Sequence, residues 1–160
     1  MLLSVVMRRL RRIVALVTEA QASEGTRFSV RVHPLCRRCR LYRACVGKLR
    51  EGLTYEVVRV RRVAHVCPLL RAKMVVVDVV EAPKVIALTS RVVAEGLVTT
   101  FRRPACSYRG QCAYREYCRA EGLEDGEKVV VERVLSRHVE CPAGLDIKLA
   151  SVRRLAAYEA

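Results

Sequence analysis

The feature that most constrains this 160-residue chain is a repeated cysteine pattern. Residues 39–45 read CRLYRAC and residues 112–118 read CAYREYC, so the spacing C-x5-C occurs twice at an offset of 73. Farther along, LREGLTYEVVRV from Leu49 aligns with LEDGEKVVVERV from Leu123 at an offset of 74, and both copies then reach Cys-Pro. One inserted residue reconciles every match after the first block. The pattern therefore predicts an internal duplication.

The duplication divides the eight cysteines into two quartets. Only the leading cysteine departs from the repeat, since it lies three residues before the second in one half and six before it in the other. The quartets are Cys36, Cys39, Cys45 and Cys67, and Cys106, Cys112, Cys118 and Cys141. We predict a basic N-terminal extension at 1–12, a first pseudo-repeat at 13–82, and a second pseudo-repeat with a C-terminal tail at 83–160.

The segments between and after the cysteines are rich in β-branched residues. TYEVVRVRRV and KVVVERVL follow the third cysteine of each quartet, and KMVVVDVV and LDIKLASV follow Cys-Pro. Such runs favour strands, as does IVALV at 13–17, whereas LTSRVVAEG at 88–96 is interpreted as a short helix between the halves. We therefore predict a mainly β (α+β), internally duplicated fold. Each half is a β-hairpin, with the fourth cysteine at its tip, plus a cysteine-rich metal-binding loop.

Disulfides, zinc sites and iron–sulphur clusters are the three interpretations of the quartets. Disulfides give no reason for a repeated layout of three close cysteines and one distant cysteine. Zinc sites are usually built from two short pairs, which neither quartet has. Three nearby cysteines and a remote one followed by Pro favour two [4Fe-4S] clusters, with two zinc ions as the alternative. Tyr42, Tyr108, Tyr114 and Tyr117 are expected to shield these sites.

The charge of the chain points to a polyanionic partner. It carries 30 basic and 16 acidic residues, a formal charge of +14, and 25 of the basic residues are Arg. Arg presents a planar fork of donors that fits phosphate, so nucleic acid is the expected partner. A heat-adapted surface is the alternative, since the chain has no Asn and two Gln, but ion-pair networks need more acids. The candidate nucleic-acid-binding residues are Arg37, Arg38, Arg40, Arg43, Arg59, Arg61, Arg62, Arg102, Arg103, Arg109 and Arg115.

The N-terminal segment MLLSVVMRRLRRIVALV places its apolar residues before its charges, the reverse of an export signal. No stretch reaches 18 uninterrupted apolar residues, so we expect no membrane span. Both observations favour a cytoplasmic protein. Residues 1–12 are a basic helical extension or an over-long start, with Met7 as the alternative initiator.

The two quartets, the runs EGLTYEVVRV and DGEKVVVERV and the two Cys-Pro endings resemble an uncharacterised archaeal protein family. That family is described mainly by two cysteine clusters, interpreted as iron–sulphur redox centres. The resemblance covers roughly residues 13–153. It implies an archaeal cytoplasmic protein with cluster ligands at all eight cysteine positions, and it implies no established activity.

Non-enzymatic functions fit these features better than an enzyme does. The first is a nucleic-acid-binding protein, RNA- or ribosome-associated before DNA, whose clusters are mainly structural. The alternatives are an iron–sulphur electron carrier or redox sensor with an acidic protein partner, or a zinc-containing RNA-binding protein. The sequence contains no Gly-rich phosphate loop, no H-E-x-x-H and no nucleophile paired with a base, which favours a non-enzymatic role.

Overall fold

The computed structural model describes residues 9–91 and 93–160. Most of the predicted N-terminal extension therefore lies outside the described residues. The chain divides into two compact units, one formed by Leu10–Ala82 and one that contains Pro83–Ala160. None of the helices in the part of the chain that the structure describes is long and apolar enough to cross a bilayer.

The unit Leu10–Ala82 is built on a four-stranded antiparallel sheet. Its strands are β1 (Ile13–Thr18), β2 (Arg27–Ser29), β3 (Thr54–Cys67) and β4 (Ala72–Glu81). They lie in the order β1-β4-β3-β2. A short helix, α1 (Tyr42–Cys45), lies in the long connection between β2 and β3.

The second unit repeats this arrangement. Its strands are β5 (Lys84–Leu88), β6 (Val98–Thr100), β7 (Lys128–Ser136) and β8 (Lys148–Arg154), with α2 (Arg115–Arg119) between β6 and β7. Their order, β5-β8-β7-β6, is the same as in the first sheet. Both sheets also carry a bulge at the matching place, between Val57 and Arg59 and between Val131 and Arg133. The predicted mainly β, duplicated fold is confirmed.

β-branched side chains form these strands because they pack well on a pleated surface. In β4 the consecutive residues Val76 to Val80 are all buried, so both faces of this strand are covered. In β7 the run Val129–Val131 is fully buried. Each such valine contributes on the order of 1.5–3 kcal/mol when it leaves water.

The predicted helix at 88–96 is not formed in the described part of that segment. Leu88 is the last residue of β5, paired with Lys148, and the chain then turns toward β6. Gly96, at φ +86°, donates its N–H to the Val131 carbonyl at 2.7 Å, just as Gly25, at φ +87°, donates to Val57 in the first unit. The segment is therefore the connection inside the second repeat, where a positive φ ends a turn.

The predicted C-terminal tail is packed against β7. After β8 the chain forms a short 3-10 helix at Leu155–Ala157, and Tyr158 is then only 6% exposed. Its hydroxyl donates a hydrogen bond to the Glu132 carboxylate, which also pairs with Arg153. Burial is the largest cause that raises the pKa of Tyr158 well above its usual value, and the hydrogen bond to Glu132 raises it further.

Candidate functional site

The first cysteine loop is a series of tight turns. Cys36 N–H donates to the His33 carbonyl at 2.8 Å, Cys39 N–H to Cys36 at 3.0 Å, and Tyr42 N–H to Cys39 at 3.0 Å. Pro34 begins the 3-10 helix that contains Cys36, and His33 Nδ1 accepts a hydrogen bond from the N–H of Leu35. These turns and α1, whose last residue is Cys45, place three thiols along one short loop.

Cys67 reaches the same region from the other end of the sheet. It is the last residue of β3, at the tip of the β3–β4 hairpin, and Arg71 closes the turn by donating its N–H to the Cys67 carbonyl at 2.7 Å. Arg71 has a φ of +50°, which non-glycine residues rarely adopt. The tight turn also brings the Leu70 N–H within 3.4 Å of Cys67 Sγ.

All four cysteines of the first quartet line one cavity of about 630 Å³. Its inner side is apolar, because Cys45 and Cys67 pack against a buried group that includes Leu16 and Met74. Leu41 also lines the cavity, and its N–H donates to Cys39 Sγ at 3.4 Å. Two of the four sulphurs thus accept a backbone hydrogen bond.

The second quartet lines a smaller cavity, of about 250 Å³. Cys112 lies before α2 and Cys118 lies within it, whereas Cys141 lies in the connection between β7 and β8. Arg115 braces the loop by donating to the carbonyls of Tyr108 and Gly110, at 3.3 and 2.6 Å. The Tyr108 ring lies directly over Gly110, where an added Cβ would be 2.4 Å from the Tyr108 hydroxyl.

Acidic turn residues hold the start of both loops at matching positions of the repeat. The Glu51 carboxylate accepts a hydrogen bond from the N–H of Val32, and Asp125 accepts one from the N–H of Arg103 at 2.7 Å. Gly52 and Gly126, which follow these acids, have φ values of +84° and +93°. The two acids therefore act as turn residues that position the loops.

The electrostatics of each quartet disfavour an uncompensated set of thiolates. Burial, followed by repulsion from the other three thiols of its quartet, raises the pKa of Cys45 to about 11. The same two causes, in the same order, raise the pKa of Cys118. Since each thiolate disfavours the next, four of them coexist in such a cavity only with cationic charge among them.

The donor set at each cavity consists of cysteine thiols. All eight cysteines are free thiols, so no disulfide uses them. In residues 9–91 and 93–160, no three Cys, His, Asp or Glu side chains close around a single metal ion. A zinc site would draw four sulphurs to about 2.3 Å from one ion. Four cysteine thiols at one cavity are a donor set that suits either a tetrahedral zinc ion or a [4Fe-4S] cluster.

Three of the eleven candidate arginines have internal partners. Arg61 bonds to Asp78, Arg103 donates to the carbonyls of Arg119 and Leu123, and Arg115 braces its own loop. The other eight are exposed and form no side-chain hydrogen bond or ion pair with the described residues. They are Arg37, Arg38, Arg40, Arg43, Arg59, Arg62, Arg102 and Arg109.

The structure adds residues to the site that the sequence did not single out. Arg71 lines the first cavity and Arg119 the second. The signal in the sequence that could have identified them is their position, four residues after Cys67 and one residue after Cys118. Of the tyrosines expected to shield the sites, Tyr42 lines the first cavity and Tyr108 and Tyr114 line the second, whereas Tyr117 is not part of either lining.

Comparison with known proteins gives a consistent family and no solved structure that matches. Residues 13–152 match the profile of the Uncharacterised protein family UPF0179. A UPF0179 protein of Pyrobaculum neutrophilum is 39% identical over 137 residues, which cover 84% of this chain and 77% of the relative. A second, from Pyrococcus abyssi, is 35% identical over 144 residues, covering 89% and 97%.

A third relative, a UPF0179 protein of Methanocaldococcus jannaschii, is 34% identical over 113 residues, which cover 71% of this chain and 74% of the relative. The family match, residues 13–152, spans both cysteine quartets, and the relatives come from different archaeal genera. The chain belongs to the archaeal Uncharacterised protein family UPF0179.

Proposed function

We propose that the chain is a two-site iron–sulphur protein, with one [4Fe-4S] cluster held by each cysteine quartet. The observation that carries the proposal is that four free thiols line one cavity in each of two matching units. The repeated layout of three nearby cysteines and one distant cysteine followed by Pro favours a cluster over a single zinc ion. Because such thiolates need reducing conditions, we also propose a cytoplasmic location.

The residues around the first quartet are suited to this task. The N–H groups of Leu41 and Leu70 donate to the sulphurs of Cys39 and Cys67, and hydrogen bonds of this kind tune cluster potentials. Leu16, buried to 4% exposure, excludes water from the inner side of the cavity. A bound cluster would supply cationic iron to the thiolates and would link the loop of the first three cysteines to the β3–β4 hairpin that carries Cys67.

We propose further that the cysteine loops bind nucleic acid, RNA before DNA, and that the clusters mainly organise these loops. Support comes from the eight exposed arginines without internal partners, six of which lie within or beside the two loops. An oxidised [4Fe-4S] group with four thiolates carries a charge of about −2. Two of them leave a large positive excess from the initial +14, which favours phosphate binding.

Metal analysis of anaerobically purified protein tests the cluster proposal. We expect about eight irons with matching sulphide per chain. Cys45→Ala and Cys118→Ala should each remove about half of the iron, because each substitution breaks one quartet, while Ser107→Ala should keep all of it. A colourless protein that contains two zinc ions would show that the quartets bind zinc and not iron–sulphur clusters. A protein that contains no metal would overturn the proposal.

The salt dependence of RNA binding tests the proposal that the cysteine loops bind nucleic acid. The logarithm of affinity should fall steeply with the logarithm of salt concentration, and Arg43→Gln combined with Arg109→Gln should reduce that slope by about 1–2. Arg91→Gln, at an exposed arginine outside both loops, should leave the slope unchanged. A salt response that is flat, or equally reduced by all three substitutions, would contradict a phosphate interface in the loops.

Electron transfer is the second candidate, favoured by one observation. Cys106 is exposed, whereas the other seven cysteines are partly buried, so a cluster in the second cavity would have an edge at the surface. Such an edge suits electron exchange with an acidic protein partner. Reversible reduction of purified protein without loss of iron would support this function, and loss of the cluster on reduction would exclude it.

A further inference from the structure

The two cysteine cavities differ in size although their thiol layouts correspond. The first has a volume of about 630 Å³ and the second about 250 Å³. If each holds one cluster of the same type, the first retains space that the second does not have. The difference between the two volumes, about 380 Å³, falls in the range of cavities that bind small organic molecules, about 300–1,000 Å³.

The two loops also differ in local structure. In the second loop, Arg115 donates to the carbonyls of Tyr108 and Gly110, and the Tyr108 ring lies against Gly110. In the first loop the Tyr42 ring lies against Gly47, where an added Cβ would be 3.1 Å from Tyr42 Cε1. The opening of the first cavity is flanked by Leu35 and Leu69, which are 56% and 42% exposed. The extra space is therefore bordered by apolar side chains that reach the surface.

Positive charge without a partner lies at the same opening. Arg38, Arg40 and Arg71 line the cavity, are exposed, and form no side-chain hydrogen bond or ion pair in the part of the chain that the structure describes. None of the described residues that line the cavity is acidic. Neutralising the charge of a cluster does not require all three of these arginines. The second cavity, which would hold the same kind of cluster, is lined by only two arginines, and one of them is bonded to its own loop.

We propose that the first cavity binds a small amphipathic organic anion beside the cysteine quartet. Its apolar body would lie against Leu16, Leu41 and Met74, and its carboxylate, sulphonate or phosphate would face the guanidinium groups of Arg40 and Arg71. The proposal rests on the proposed function in one respect, since the cluster takes the part of the cavity between the sulphurs. The second cavity is not expected to bind such a molecule.

Titration with octanoate, with uncharged 1-octanol as the matched probe, tests this inference on anaerobically purified protein. Calorimetry should show one octanoate site per chain and at least tenfold weaker binding of octanol. Arg40→Gln combined with Arg71→Gln should weaken octanoate binding at least tenfold without changing octanol binding. Arg91→Gln should behave as the wild type. Leu69→Glu, which places a carboxylate at the opening, should also abolish octanoate binding.

The iron content of each sample separates this inference from the cluster proposal. Full iron without octanoate binding, equal binding of octanoate and octanol, or unchanged binding in the Arg40→Gln, Arg71→Gln variant would overturn the anion site and leave the cluster intact. Octanoate binding to protein without metal would support the anion site and overturn the cluster. Circular dichroism checks that each variant retains its strand content.

Discussion

The ion pair between Arg61 and Asp78 offers a direct test of how this fold uses its arginines. Asp78 lies in β4 and is 4% exposed, and its Oδ1 accepts hydrogen bonds from Arg61 Nε at 3.1 Å and from Nη2 at 2.8 Å. Arg61 lies in the bulged part of β3, between Val60 and Ala64, which pair with β4 on either side. Arg61→Ala would leave a buried carboxylate without its partner.

The structure sets the expected size of this effect. Removing one partner of a fully buried ion pair costs about 3–5 kcal/mol. The Arg61 side chain is 43% exposed, so water reaches the pair and part of that cost is recovered. We therefore expect Arg61→Ala to lower the free energy of unfolding by about 2–3 kcal/mol. Combining it with Asp78→Asn should restore about 1–2 kcal/mol, because no unpaired charge is then buried.

Urea unfolding of the four proteins in this double-mutant cycle measures the coupling, and urea is chosen because guanidinium would screen the pair. The control is Arg62→Ala, since Arg62 is exposed and has no internal partner among the described residues; its effect should stay within about 0.5 kcal/mol. If Arg61→Ala and Arg62→Ala are equally mild, the Asp78 carboxylate is solvated in the folded protein and the reasoning fails.

Two further predictions concern the second unit. Tyr158→Phe should cost about 1–2 kcal/mol, since it leaves the Glu132 carboxylate without its hydroxyl donor. Because the pKa of Tyr158 is raised on folding, the wild type should lose stability as pH rises above about 10, and this loss should be smaller in the variant in thermal unfolding at pH 9 to 11. Arg103→Ala should lower stability by about 1–2 kcal/mol because its guanidinium bonds to the carbonyl of Leu123, while Arg102→Ala should change it by less than about 0.5 kcal/mol. Equal effects of the two arginine substitutions in the same thermal assay would contradict that distinction.

Local and repeated features of the sequence were sufficient to predict the mainly β, duplicated architecture. Strands follow from the density of β-branched residues, as in KVVVERVL of β7, and the duplication follows from matched spacing. The grouping of cysteines into quartets also follows from that spacing, and each quartet lines one cavity. The helix predicted at 88–96 was wrong because a glycine such as Gly96 is equally suited to the end of a helix and to a turn with positive φ. Only the hydrogen bond to Val131 distinguishes the two structures.

The sequence by itself determined that two related β units each carry four cysteines and an excess of arginine. Only the tertiary structure decided which arginines are available, because Arg59, Arg61 and Arg62 are alike in sequence and a bulge in β3 directs one of them to Asp78. It also decided that the cavities differ in volume, about 630 Å³ for the first and about 250 Å³ for the second. Partners and cavity sizes arise from contacts between residues far apart in the chain, whereas strand propensity and spacing are local properties.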